Sequence, residues 1–175
     1  MRYKMNDFIT TLCNRASCKK FKPQPVSDAD LQPVIEAGLH APSGMNLQSP
    51  IIVAIRDQET VRKLAKLNTL GRFDTDTFYG APTVLVVLAD RAAATYLYDG
   101  SLVMGNMLNA AHSAGLGARW IHRAKEVFDS EEGKALLKEW GIEGDYEGIG
   151  NCIIGYPDME LEPVPIREGR VFYVG

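Results

Sequence analysis

Arg15, Ser17 and Lys19 occupy alternate positions in "RASCKKF", so in extended backbone their side chains share one face. A guanidinium, a hydroxyl and an ammonium on one face suit a phosphate: a fork, a neutral donor and a point charge. A solvated basic turn has the same composition, and a basic cluster alone is a weak signal. A second group is the uncharged loop "APSGMNLQSP". There Pro42 and Gly44 break a helix, and Ser43, Asn46 and Gln48 follow. Hydroxyls and amides that donate and accept match a heteroaromatic ring edge or a polyol; they are also what an ordinary loop contains. The third group is Arg167 and Arg170 in "IREGRVF", which either close on the anion of Arg15 or lie on the surface. Together the three groups point to a ligand with a phosphate and a ring.

Other chemistries lack their residues. There is no G-x-x-x-x-G-K-[ST] loop, and "GLGAR" is a fragment of a dinucleotide fingerprint that follows a helix rather than a strand. His40, His112 and His122 have no metal-ligand spacing. Ser43 is not in a nucleophile elbow, and no triad or carboxylate pair is readable. No catalytic side chain is assigned, and the reactive atoms of an enzyme with this sequence would belong to a cofactor.

The elements that must position these groups follow from the apolar periods. A helix is predicted over residues 5–14, capped by Asn6, with Phe8, Ile9, Leu12 and Cys13 on one face. A second lies in "VSDADLQPVIEAGLHA", where Ser27 and Asp30 have capping-box spacing. A cap at Asp30 instead would bring Pro33 into the first turn, where proline is tolerated. Strands are predicted at 51–55, in "APTVLVVLADR" as the central one, in "ARWIH" and in "GIGNCIIGYP". "RVFYV" reads as a closing strand. Helices are predicted in "QETVRKLAKLN", over about residues 92–114 with Gly115 just past the end, and in "SEEGKALLKEW". The helix over 92–114 is apolar nearly all round, which calls for burial in a core or against a second subunit. The sum is one α/β domain over residues 1–175, a sheet of four or five strands covered by helices.

Bulk properties narrow the class. The 175 residues are 46% hydrophobic and 23% charged, enough for one domain with a real core. A net charge of −3 argues against a general nucleic-acid role. No run approaches the ~20 apolar residues of a membrane helix. Three cysteines without a C-x-x-C pair fit a reducing compartment. With no apolar h-region at the start, the expected location is cytoplasmic.

The ordered set "RASCKKF…P…L…IEAGLHAPSGMNLQ…YGAPTVLVV…GLGARWI…GYP…R" resembles the nitroreductase family of FMN-dependent flavoproteins, in its short single-domain form, over residues 15–174. The resemblance implies an α+β three-layer sandwich. Its central sheet of four to five strands would be mixed but mainly antiparallel and flanked by helices. An obligate, intertwined homodimer with two FMN sites at its interface is implied, with the helix over 92–114 as dimer core. NADH or NADPH would be the donor, and a nitroaromatic, quinone or similar small-molecule acceptor would be reduced in a ping-pong cycle. Alternatives on the same fold are dehalogenation, flavin reduction or fragmentation, or FMN binding without catalysis. By resemblance, Arg15, Ser17 and Lys19 hold the flavin phosphate and ribityl chain, with Ala16 contributing backbone. Pro42, Ser43, Gly44, Asn46 and Gln48 come from the other subunit and lie along the isoalloxazine. Asn68 reaches the ring, Trp120, Ile121 and His122 lie near its N5, and Arg167 and Arg170 complete the phosphate site. His122 is either a substrate contact or structural. Ser49 and Pro50 replace the P-W of many members, which implies altered packing there.

Overall fold

The computed structural model describes residues 5–72 and 74–175. Four strands, β1 (Pro50–Ile55), β2 (Thr83–Asp90), β3 (Gly117–Ile121) and β4 (Tyr146–Gly155), form one sheet in the order β1-β2-β4-β3. Every pairing is antiparallel. β2 and β4 are the inner strands and are buried almost end to end, which is why they read as unbroken apolar runs.

The two faces of β2 carry two cores. Leu85, Val87 and Ala89 face α2 (Asp28–Leu39) and α4 (Tyr96–Ser113), meeting Leu31, Val34, Met104 and Met107. Val84, Val86 and Leu88 face α3 (Gln58–Leu67), α5 (Ala124–Asp129) and α6 (Glu131–Glu139), meeting Leu64, Val127, Phe128 and Leu136. The result is the expected three layers. A short amphipathic helix, α1 (Asp7–Asn14), precedes them and is capped by the Asn6 side chain at Ile9 N–H, 2.9 Å. Among the described residues no helix is long and apolar enough to cross a membrane.

Local chemistry explains most boundaries. Ser27 caps α2: its Oγ accepts from Asp30 N–H at 3.1 Å and donates to the Asp30 carboxylate at 2.7 Å. The alternative cap at Asp30 is therefore not used, and Pro33 lies inside the helix. α4 ends in a Schellman turn: Gly115 has φ +73°, its N–H reaches His112 C=O at 3.1 Å, and Leu116 N–H reaches Ala111 C=O at 2.8 Å. That turn feeds β3 directly. α4 starts at Tyr96 rather than near Ala92, because the Asp90 carboxylate accepts Ala92 N–H at 2.9 Å and holds a turn there.

Arg91 closes the end of β2. Its guanidinium donates to Asp129 at 2.7 Å, Asp145 at 2.6 Å and Glu147 at 3.2 Å. Burial alone would lower its pKa; the three carboxylates outweigh that and hold it above the ordinary arginine value. The hub ties α5 to the start of β4.

Three features differ from, or add to, what the sequence pattern predicts. α5 was not foreseen; six residues are too few to show a period, and the αL backbone of Arg123, φ +78°, sets its entry. The expected closing strand at 170–174 pairs with no strand among the described residues, and Val171, Phe172, Tyr173 and Val174 are 67–99% exposed. The apolar face of α1 is uncovered, with Phe8 67% exposed, and Tyr98 on α4 is 74% exposed, so α4 is buried along one side only.

β4 also carries an irregularity that shapes the sheet. Val87 pairs with Gly150 and Leu88 with Gly148, which leaves Ile149 as the extra residue of a bulge. A Cβ at Gly148 would run into the Ala124 backbone at the start of α5. Gly148→Ala should therefore destabilise the fold by about 1–3 kcal/mol through overpacking, measured by urea denaturation. Unchanged stability would mean that α5 is not seated on β4.

Candidate functional site

Beyond α1 the chain turns extended at Arg15, φ −58° and ψ 127°, and runs beside β3. Ser17 bridges to Ala118, and Cys18 N–H donates to Ala118 C=O at 3.0 Å. Ala16 and Cys18 are thereby turned inward, at 8% and 0% exposure, while Ser17 and Lys19 point out and Arg15 is half-buried. The Arg15, Ser17 and Lys19 side chains make no hydrogen bond or ion pair with any described residue. Lys20 points elsewhere and pairs with Asp158 at 2.7 Å, which holds the Asp158 carboxyl below its usual pKa.

Ala16, Ser17, Lys19 and Arg119 line a cavity of about 470 Å³ that is completed by residues from the segment 159–164. Cys18 lies behind its wall; burial pushes its thiol pKa up, and the thiol donates to Lys20 C=O at 3.1 Å. Cys152, wholly buried, is pushed up to about 12. Both are packing groups that stay protonated at neutral pH.

The loop after α2 is a second structured feature. Met45, Asn46 and Gln48 all have φ between 50° and 55°, a backbone that costs non-glycine residues about 1–3 kcal/mol each. Asp99 of α4, 3% exposed, holds it: its carboxylate accepts from Gly44 N–H at 3.0 Å, Thr95 Oγ at 2.8 Å and Ser49 Oγ at 3.5 Å. Ser43 Oγ accepts Gln48 N–H at 3.0 Å, and Gln48 Nε2 donates to Asn46 Oδ1 at 3.1 Å. Gly44 is required there because a Cβ would strike the Thr95 side chain. Asn46 and Gln48 are left exposed, and Pro42, Ser43 and Gln48 line a separate cavity of about 210 Å³. Within one chain the two cavities share no lining residue.

The sequence profile of the nitroreductase family matches residues 12–71 and 68–156. The chain belongs to the nitroreductase family. It is 37% identical over 163 residues to the NADH dehydrogenase of Thermus thermophilus, covering 91% of this chain and 73% of that one. It is 30% identical over 186 residues to the NADPH-flavin oxidoreductase of Vibrio harveyi, covering 92% and 70%. Its fold matches the crystal structure of the nitroreductase with bound FMN from Bacteroides fragilis with a TM-score of 0.89 at 22% identity, covering 98% of this chain and all of that one.

Other residues singled out for a nitroreductase site are distributed unevenly. Asn68 is fully buried: its Nδ2 donates to Thr77 at 3.2 Å and its Oδ1 accepts from Asn151 at 3.3 Å. In the single chain its amide is engaged with these two partners, because the loop before β2 brings Thr77 to it. Ile121 faces the core at 7% exposure. The Trp120 indole rests on Gly150, with its buried Nε1 lacking a partner. His122, just past β3, is exposed. Arg167 and Arg170 are exposed, make no side-chain hydrogen bond or ion pair with any described residue, and do not line the cavity beside Lys19.

Two residues of this family member carried little signal in the sequence. Asp99 had one signal, an acid inside an apolar helix; Arg119 had only its phase opposite Ala118 and Trp120. A further cavity, about 740 Å³ beside α3, contains none of the polar groups discussed above. Asp99→Ala should remove the acceptor of Gly44 N–H and cost about 1–3 kcal/mol. Hydrogen exchange at Gly44 should accelerate; unchanged exchange would show that something else holds the loop.

Proposed function

We propose that this chain is an FMN-dependent oxidoreductase that uses NADH or NADPH to reduce a small nitroaromatic or quinone-like acceptor. The observation that carries the reading is the strip of Arg15, Ser17 and Lys19, whose side chains pair with no described residue and of which Ser17 and Lys19 line a cavity, in a chain of net charge −3. Cations left without carboxylates in an acidic protein suit an anionic ligand, and the strip matches a phosphate in geometry and charge. The kinship to flavin and nicotinamide oxidoreductases supports FMN as that ligand. Bound FMN would supply the hydride chemistry that these side chains lack.

The chain's own residues then bind and orient. Arg15 and Lys19 neutralise the phosphate, Ser17 donates to it, and the backbone at Ala16 follows the ribityl chain. Asn46 and Gln48, held outward by the strained loop, offer amides to the ring edge in a second subunit's site. His122 is exposed and free to hydrogen-bond a substrate at the end of β3. Donor and acceptor use one space in turn, a ping-pong order. The three free thiols suit a cytoplasmic setting.

A homodimer completes this reading. Phe8, Tyr98, Phe172 and Tyr173 are 67–95% exposed in the single chain, and so many exposed large apolar groups call for a covering surface. The extended arm at 170–174 has the sequence of a strand, and the outer edge of β1 has no neighbour in the sheet. Arg167 and Arg170 belong to this arm, so their approach to a phosphate depends on where a partner seats it.

Three measurements test the proposal. Purified protein mixed with FMN should retain the yellow flavin, and anaerobic NADH or NADPH should bleach it; a colourless protein that takes up no FMN sinks the reading. Arg15→Ala should weaken FMN binding about 10- to 100-fold, as expected for one hydrogen bond to a charged group. Undiminished binding would make Arg15 a surface charge. Removing residues 169–175 should shift a dimer toward monomer in light scattering, whereas an unaltered dimer would exclude the arm from the interface.

A further inference from the structure

Arg119 is a second cation at the cavity that carries Ser17 and Lys19. Its guanidinium lies over the Tyr79 ring, with Cζ 5.0 Å from the ring centroid. It is half-buried and forms no ion pair with any described residue. Stacking occupies the flat face of a guanidinium and leaves its N–H edge free for in-plane, two-point hydrogen bonds. Tyr79 is held in place from both sides. Its own φ is +56°, and the Asp76 carboxylate accepts Phe78 N–H at 2.8 Å and Gly80 N–H at 2.6 Å. Phe78 is anchored in the core at 1% exposure.

The remaining lining sharpens the ligand class. Glu160 and Glu162 contribute to the same cavity without pairing to Lys19 or Arg119. A bare phosphate meets repulsion from these carboxylates. A polyol phosphate uses both signs: its phosphate accepts from the cations and Ser17, and its hydroxyls donate to the glutamates. A volume of about 470 Å³ is adequate for such a group.

We propose that Arg119 is a phosphate-binding residue for a ribityl-type polyol phosphate, with Tyr79 as the positioning residue that presents its guanidinium. This assignment rests on the flavin reading above and adds a consequence: the site discriminates FMN from riboflavin through Arg119 as well as Arg15 and Lys19. The full chain, freed of flavin, is titrated with FMN and with riboflavin by quenching of flavin fluorescence. Arg119→Met should weaken FMN about 10- to 100-fold and leave riboflavin unchanged. Tyr79→Leu should reproduce part of that loss, and Tyr79→Phe, which keeps the ring face, should restore FMN affinity. Riboflavin binding serves as the folding control; should Arg119→Met fail it, Arg119→Lys keeps the charge without the fork and should give a smaller FMN-specific loss. An equal loss for both flavins, or no loss for FMN, overturns the assignment. Wild-type protein that binds neither flavin overturns the flavin reading itself and this assignment with it.

Discussion

The hydrogen bond from Cys18 N–H to Ala118 C=O, 3.0 Å long, registers the N-terminal strip against β3. The candidate site depends on that contact. It fixes which side chains of the strip face the core and which face the cavity, because successive residues of extended chain point to opposite sides. A slip of one residue would send Ala16 and Cys18 outward and bury Ser17 and Lys19, leaving unpaired charge in an apolar layer. Cys18, buried and protonated, is the packing counterpart of the two outward polar groups.

The sheet makes this registration rigid. β4 pairs with both β2 and β3, so the edge that receives the strip is bonded to the most deeply buried strand pair. The bulge around Ile149 brings two glycines into contact with the start of α5 and with Trp120. Arg91 then ties α5 to the first turn of β4 through three carboxylates. The other polar group is supported differently. The loop at Ser43–Gln48 carries three left-handed, non-glycine residues, and a single buried carboxylate on α4 organises it. Strain held by a buried anchor presents Asn46 and Gln48 outward, their side chains bonded to each other and to no other described residue.

One chain leaves parts of itself unfinished. α1 buries no residue despite its apolar face, α4 shows Tyr98 and Leu102 to solvent, and the arm after β4 extends without a neighbour. In the proposed homodimer a second copy would cover these apolar groups and bring its own loop to the first chain's strip, joining the two polar groups that one chain keeps in different cavities. A flavin held by both chains would couple cofactor binding to assembly.

Much of this was legible without coordinates. The alternation at Arg15, Ser17 and Lys19, the buried strands and the Gly115 helix stop follow from periodicity and turn chemistry within a few residues, whereas the choice of Ser27 over Asp30 as cap was decided only in the fold. Local rules determine which face a side chain occupies, because backbone period is a short-range property. They do not determine what lies across from that face. Asn68 sits where a helix ends, as read, but the loop folded over it turns its amide to Thr77 and Asn151. Arg119 reaches the Lys19 cavity, and Asp99 reaches Gly44, only because the strand order and the seating of α4 bring residues 50 to 100 positions apart into contact. The residues at 170–174 have strand character, yet a strand exists only where another supplies the hydrogen bonds, and their own chain supplies none. The sequence by itself determined the elements and the polar strip. Tertiary structure decided which polar groups meet, because meeting depends on long-range pairing that no local pattern encodes.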